Sequence, residues 1–343
     1  METLFFPEPF LFESGDVLPG VEISYHIRGA LSPNRDNVIW VCHALTANSD
    51  VQTWWPGMVG EEAVFDTSRF AVICANVVGS CYGTTGPLST NPETGQPWYG
   101  KFPRVSIRDM VKAHQRLADA LGIRNIKMLV GGSLGGQQAL EWAIEEPERF
   151  EHLVLLATNA RHSSWGVAFN EAQRMALRTD PSFGEPLPFA GKAGLEAARA
   201  IAMMSYRSYG AFQRSQPDET TEANMFERKA ITYMQHQGRK LANRFNAYSY
   251  ETLLNAMDSH DVGRGGGSVE QALGRIKAST LVLSIDSDGL FPPEEQQFLA
   301  LFIPDARYLS IKSLYGHDGF LIETRAIARG ITQFLLNKHL TLA

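Results

Sequence analysis

The chain of 343 residues is 44% hydrophobic and only 20% charged, enough to bury a large core and too apolar for a disordered polymer. Its formal net charge of −6 leaves no basic stripe for a phosphate backbone, which argues against nucleic acid as a partner. Three cysteines, Cys42, Cys74 and Cys81, are too few and too unevenly spaced for a disulfide framework or a zinc site, so no metal and a reducing compartment are expected.

In chain order, "METLFFPEPFLFESGD" (1–16) is apolar but lacks a basic start and is broken by two prolines and by acids, so it fails as a signal peptide. No apolar run approaches the ~20 residues needed to span a bilayer, so no membrane is expected and the cytoplasm is the expected compartment. Short β-branched runs then alternate with helical patterns: "NVIWVCH" (37–43), "FAVICANVVG" (70–79), "IKMLVGG" (126–132), "HLVLLAT" (152–158), "TLVLSID" (280–286) and "RYLSI" (307–311). Continuous apolarity of this kind suits strands buried on both faces of a mostly parallel sheet. Ile107, Met110, Val111, His114, Leu117 and Leu121 keep helical spacing behind a start signal at Ser106 and Asp109. Strand, crossover helix and strand give the class α/β.

Between about 160 and 275 the rhythm breaks into several helical patterns without a strong strand, ending in "GRGGGS" (263–268). The expectation is an α/β core over 1–160 and 275–343, with a helical insertion over 161–274 lying across the sheet as a lid.

The chemistry centres on "GGSLGG". In G-x-S-x-G, here Gly131, Ser133 and Gly135, a strand turns abruptly into a helix, and side chains on the neighbours of the serine would collide with both. Such a turn exposes the Ser133 hydroxyl and aims the Leu134 amide at a developing oxyanion. A serine needs a base to take its proton and an acid to hold that base, in the order Ser, acid, His. "YGHDGFL" (315–321) supplies His317, whereas His236 and His260 lie in the insertion and His339 near the chain end. "SIDSDGLFPP" offers Asp286 and Asp288; the latter, further into the loop, is the better placed. The second oxyanion donor is expected from "VCHALTANSD" (41–50), at the Leu45 amide, with His43 bracing that loop. Glycine spacing at 131, 132, 135 and 136 misses the G-x-G-x-x-G of dinucleotide sites.

"HALT", "NVVGSCYGTTGP", "GGSLGGQQALEWA", "AARAIAMMSYRS", "SDGLFPPE" and "GHDGFL" resemble, in order, the motifs of the homoserine O-acyltransferases of methionine biosynthesis, a family of the α/β-hydrolase fold. The resemblance implies transfer of an acyl group from acyl-coenzyme A, a co-substrate and not a bound cofactor, to the hydroxyl of L-homoserine through an acyl-enzyme at Ser133. It implies further that Arg199 grips the acceptor carboxylate, Asp318 holds its ammonium, Tyr206 lines the same pocket, and lid helices carrying "AIAMM" pair two chains as a homodimer. Three positions depart from the family pattern: the missing glycine after Thr46, Leu134 in place of methionine, and Gly289 in place of a bulkier residue. They leave the donor open between acetyl and succinyl and the acceptor between homoserine and serine, with acetyl and homoserine the commoner pair. An esterase using water as acceptor, or a binding protein without activity, are the competing readings; a fixed cation and anion for an amino acid oppose the first and a complete triad the second.

Overall fold

The computed structural model describes residues 1–218, 225–265 and 267–339, the last three by backbone alone. Eight strands form one sheet: β1 (Glu2–Phe6), β2 (Val21–Arg28), β3 (Val38–Cys42), β4 (Ala71–Ala75), β5 (Ile126–Gly132), β6 (Phe150–Leu156), β7 (Ser279–Ile285) and β8 (Ala306–Ile311). Their order is β1-β2-β4-β3-β5-β6-β7-β8. β2 runs antiparallel to both its neighbours, and every other pairing is parallel. The six apolar runs fall on β3 to β8 with ends shifted by a few residues, and β3, β4 and β7 are buried along their whole length. The antiparallel strands β1 and β2 went unrecognised in the sequence, because β1 is a largely exposed edge and β2 mixes polar with apolar positions.

The side chains of β3 show how the sheet divides the core. Val38 and Trp40 point into one apolar cluster, with Leu129, Leu153 and Leu155; Ile39 and Val41 point into the other, with Val130, Val154 and Leu283. Alternation across a pleated strand makes both sets apolar, each buried side chain contributing ~1.5–3 kcal/mol.

Helix α1 (Ile107–Ala120) starts at a capping box in which the Ser106 side chain accepts from the Asp109 amide and the Asp109 carboxylate accepts from the Ser106 amide. Helix α2 (Leu134–Glu145) follows β5 at once. Over 161–274 the regular elements among the described residues are helices: α3 (Ser164–Arg178), α4 (Lys192–Tyr206), α5 (Tyr209–Ser215), α6 (Lys229–Ala242), α7 (Ala247–Asp258) and α8 (Val269–Leu273). Gly266 of "GRGGGS" lies outside the described residues. Leu177, Leu195, Leu241 and Leu254 of these helices share one buried cluster with Trp40 and Leu129 of the sheet, so the insertion has no separate core. Helices α9 (Pro293–Phe302) and α10 (Thr324–His339) are the last two long helices among the described residues, α10 covering the other face through Ile327, Ile331 and Phe334.

Candidate active site

Steric crowding at the β5–α2 junction explains the four glycines. A Cβ on Gly131 would sit 2.1 Å from the Gly135 oxygen, one on Gly135 2.1 Å from the Cys42 oxygen, and one on Gly136 2.5 Å from the Thr158 Cβ. A Cβ on Gly132 would lie 2.8 Å from the Phe320 ring. Ser133 itself takes a strained positive-φ backbone, φ 55° and ψ −126°, at a cost of ~1–3 kcal/mol. The turn is pinned by the Ser133 amide donating to the Leu156 carbonyl at 3.0 Å and by the Thr158 hydroxyl donating to the Ser133 carbonyl at 2.9 Å.

Three side chains drawn from three loops meet at this turn. The Asp288 Oδ1 accepts from the amides of Leu290 (2.8 Å) and Phe291 (2.9 Å), which leaves Oδ2 to accept from His317 Nδ1 at 2.7 Å. With Nδ1 donating, the neutral ring must accept at Nε2, and the Ser133 hydroxyl lies 2.9 Å away as the donor. All three residues are buried, and the Phe291 ring stacks on the imidazole at 5.0 Å. Asp286 instead accepts from the Ser313 amide at 2.9 Å and fixes the loop before His317.

His43 and His260 are engaged elsewhere. His43 Nδ1 donates to the Ala44 carbonyl at 2.9 Å and Nε2 accepts from the Val77 amide at 3.1 Å, the loop brace expected of it. Burial pushes its pKa down to about 4, so it stays neutral. His260 Nε2 donates to the Asn159 carbonyl at 2.9 Å, and burial pushes its pKa down to about 3. His236 lies on α6, and the side chain of His339 is outside the described residues.

Leu134 is the first residue of α2, so its amide has no partner within the helix. Leu45 lines the same cleft as Ser133, a cavity of about 400 Å³. Arg199, Tyr206, His317 and Asp318 open onto that cleft as well, with Lys240 and Arg244 beside them. The Arg199 guanidinium lies over the Tyr206 ring at 5.1 Å, and its buried Nε has no hydrogen-bond partner among the described residues. Asp318 Oδ2 lies 2.7 Å from Nε of Arg207. Burial raises the Asp318 carboxyl above the usual carboxylate range, opposed by Arg207, Arg199 and His317. Arg207 escaped the sequence reading; one arginine at a helix end gives no sign of its partner.

A second, enclosed space of about 10 Å³ adjoins Ser133 and is lined by Leu45, Phe169, Met257, Leu290 and Ser205 among others. Gly289 contributes nothing to it: a Cβ there would meet nothing within 4 Å. Among the described residues no group of three His, Cys, Asp or Glu side chains could hold a metal, and no helix is long and apolar enough to cross a membrane. All three cysteines are free thiols.

Residues 37–324 match the family model of the alpha/beta hydrolase fold. The homoserine O-acetyltransferase of Cyclobacterium marinum is 44% identical over 98% of this chain and 96% of its own length. Among solved structures, the homoserine O-acetyltransferase from Bacillus anthracis superposes with a TM-score of 0.89 at 25% identity, covering 97% of this chain and 96% of that one. The acetyl esterase MekB superposes with a TM-score of 0.83 at 27% identity, covering 97% and 94%. A buried Ser–His–Asp constellation on this sheet, joined to that likeness over the full length, shows that the chain belongs to the homoserine O-acetyltransferase family of α/β-hydrolase-fold enzymes.

Proposed function

We propose that this enzyme moves an acetyl group from acetyl-coenzyme A to the hydroxyl of L-homoserine through an acetyl ester on Ser133, as a cytoplasmic step of methionine biosynthesis. One observation carries the reading: the Ser133–His317–Asp288 chain opens into a cleft that also presents the Arg199 guanidinium, whose Nε has no hydrogen-bond partner among the described residues, and the carboxyl of Asp318. An amino-acid acceptor needs one fixed cation and one fixed anion.

In the first half-reaction Ser133 Oγ attacks the thioester carbonyl while its proton passes to His317 Nε2, and Asp288 stabilises the imidazolium. The amides of Leu134 and Leu45 receive the oxyanion. Collapse expels coenzyme A, which takes the proton from His317. Homoserine then enters, its carboxylate on Arg199 and its ammonium on Asp318, with Tyr206 as the wall between them. His317 removes the hydroxyl proton, the hydroxyl oxygen attacks the acetyl ester, and the proton returns to Ser133 as the product leaves. Coenzyme A departs before homoserine reacts, so the kinetics are ping-pong.

Acetyl is favoured over succinyl because the curated relative at 44% identity is a homoserine O-acetyltransferase and the enclosed space beside Ser133 has no lysine or arginine in its lining for a second carboxylate. A second copy of this chain is the proposed partner, since Met204, Tyr209, Phe226 and Ile231 of the insertion are exposed apolar side chains.

The test is thiol release from acetyl-coenzyme A with and without homoserine. Release that depends on homoserine, with parallel double-reciprocal lines across both substrates, supports transfer. The likeness to an acetyl esterase favours hydrolysis as the second reading; release that ignores homoserine and yields acetate would establish it.

A further inference from the structure

Asp318 is held from behind. Arg207, just past the end of α4, sets Nε 2.7 Å from Asp318 Oδ2, and the two side chains keep only 23% and 18% exposure. The Arg207 guanidinium also lies 5.7 Å from the centre of the Tyr315 ring. Close approach of two backbones makes the contact: Gly316 has φ 63°, and a Cβ there would lie 2.7 Å from the Ser208 amide nitrogen and 3.0 Å from the Arg207 carbonyl carbon. The Ser208 hydroxyl donates to the Leu314 carbonyl and closes the same junction. None of the steps derived above uses Arg207.

We propose that Arg207 is a positioning residue of the acceptor site, which holds the Asp318 carboxylate charged and turned so that its second oxygen meets the ammonium of the amino-acid acceptor. The inference rests on the functional reading given above. A carboxyl group with little solvent favours its neutral form, and a neutral carboxylic acid cannot pair with an ammonium. The charged and titratable groups around Asp318 are Arg207, Arg199 and Tyr206 from α4 and its end, Tyr233 and Lys240 from α6, Arg244 just past α6, and His317 in the same loop. Arg199 is needed for the acceptor carboxylate, and of the other cations it is Arg207 that touches the Asp318 carboxylate.

The test compares wild type with Arg207→Met, Arg207→Lys, Asp318→Asn and the double variant Arg207→Met/Asp318→Asn. At neutral pH, Arg207→Met should raise KM for homoserine roughly 10- to 100-fold, the one to two decades by which a close opposite charge favours the ionised form of a carboxyl, with a much smaller change in kcat. That deficit should shrink as the pH rises and the carboxyl ionises without help. Arg207→Lys should recover part of the loss, because the observed contact uses one nitrogen, and the double variant should be no worse than Asp318→Asn alone. An unchanged KM, a loss shared equally by KM and kcat that is flat with pH, or an additive double variant each overturns the proposal. A titration of the Asp318 carboxyl by carbon NMR needs no acceptor. A higher midpoint in Arg207→Met supports the proposal and an equal midpoint overturns it. A shifted midpoint in an enzyme that fails to acetylate homoserine would overturn the functional reading while leaving Arg207 in control of Asp318.

Discussion

Replacing Arg199 by alanine removes a guanidinium that has a stacking partner but, at Nε, no hydrogen-bond acceptor among the described residues. In the proposed cycle that acceptor is the homoserine carboxylate. Truncating one member of a desolvated charge pair costs ~2–5 kcal/mol, and because Arg199 is only partly buried the lower half of that range applies. At 1.4 kcal/mol per decade, a loss of ~2–3 kcal/mol is roughly a 30- to 150-fold fall in kcat/KM for homoserine. The lost contact with the Tyr206 ring adds ~0.5–1 kcal/mol, which belongs to folding stability and should appear in a thermal melt. The assay separates the half-reactions: single-turnover acetylation by acetyl-coenzyme A in rapid mixing, then discharge of the isolated acetyl-enzyme at increasing homoserine. The loss should fall on discharge, leaving slow hydrolysis of the stranded ester relatively more prominent. If acetylation and discharge decline together, Arg199 supports the fold or the triad and the acceptor assignment fails.

Asp288→Asn should lower turnover on the order of 10⁴-fold, because the His317 tautomer is then no longer fixed, whereas Asp286→Asn, which loses only a loop contact to the Ser313 amide, should lower it far less; the reverse ranking in steady-state kinetics would reassign the acid. Gly135→Ala forces a Cβ to within 2.1 Å of the Cys42 carbonyl oxygen and should sharply reduce soluble yield and melting temperature, so a stable, fully active variant would contradict the steric account of the turn. Burial pushes the Glu141 carboxyl up from 4.5 to about 7 despite its bond from Arg108, so the folded chain keeps a proton that the unfolded chain has lost. Stability should therefore fall as the pH rises from about 4.5 to about 7, by on the order of 3 kcal/mol from this group. Glu141→Gln, which cannot ionise, should flatten that slope in a series of melts, and an unchanged slope would remove Glu141 as its source.

The parts of the fold legible in the sequence are those that local pattern dictates. Continuous apolar runs marked β3 to β8 because strands flanked by helices on both faces have no polar side to show. Ser106 and Asp109 marked the start of α1 because a capping box is a short-range device. The crowding that demands glycine at 131 and 135 was readable from the motif, since its partners lie within the turn or on the adjacent strand end. What escaped depends on contacts between distant segments. β2 pairs with β4 across some fifty residues, and no local periodicity announces it. The choice of Asp288 over Asp286, by contrast, was made from loop position, and the β7–α9 loop directs Asp288 at His317 and Asp286 at the Ser313 amide. Arg207 meets Asp318 only because Gly316 lets two loops touch.

The claim on which the account rests is that Ser133 carries the acetyl group between donor and acceptor. Brief mixing with acetyl-coenzyme A alone, followed by acid quench, digestion and mass analysis, should find an acetyl increment on the peptide containing Ser133. Adding homoserine before the quench should discharge it and form the O-acetyl ester, and Ser133→Ala should fold but never carry the label. A label on another residue, or rapid product formation with intersecting kinetic lines and no acetyl-enzyme trapped at any time, would contradict the account and point to direct transfer between the two substrates.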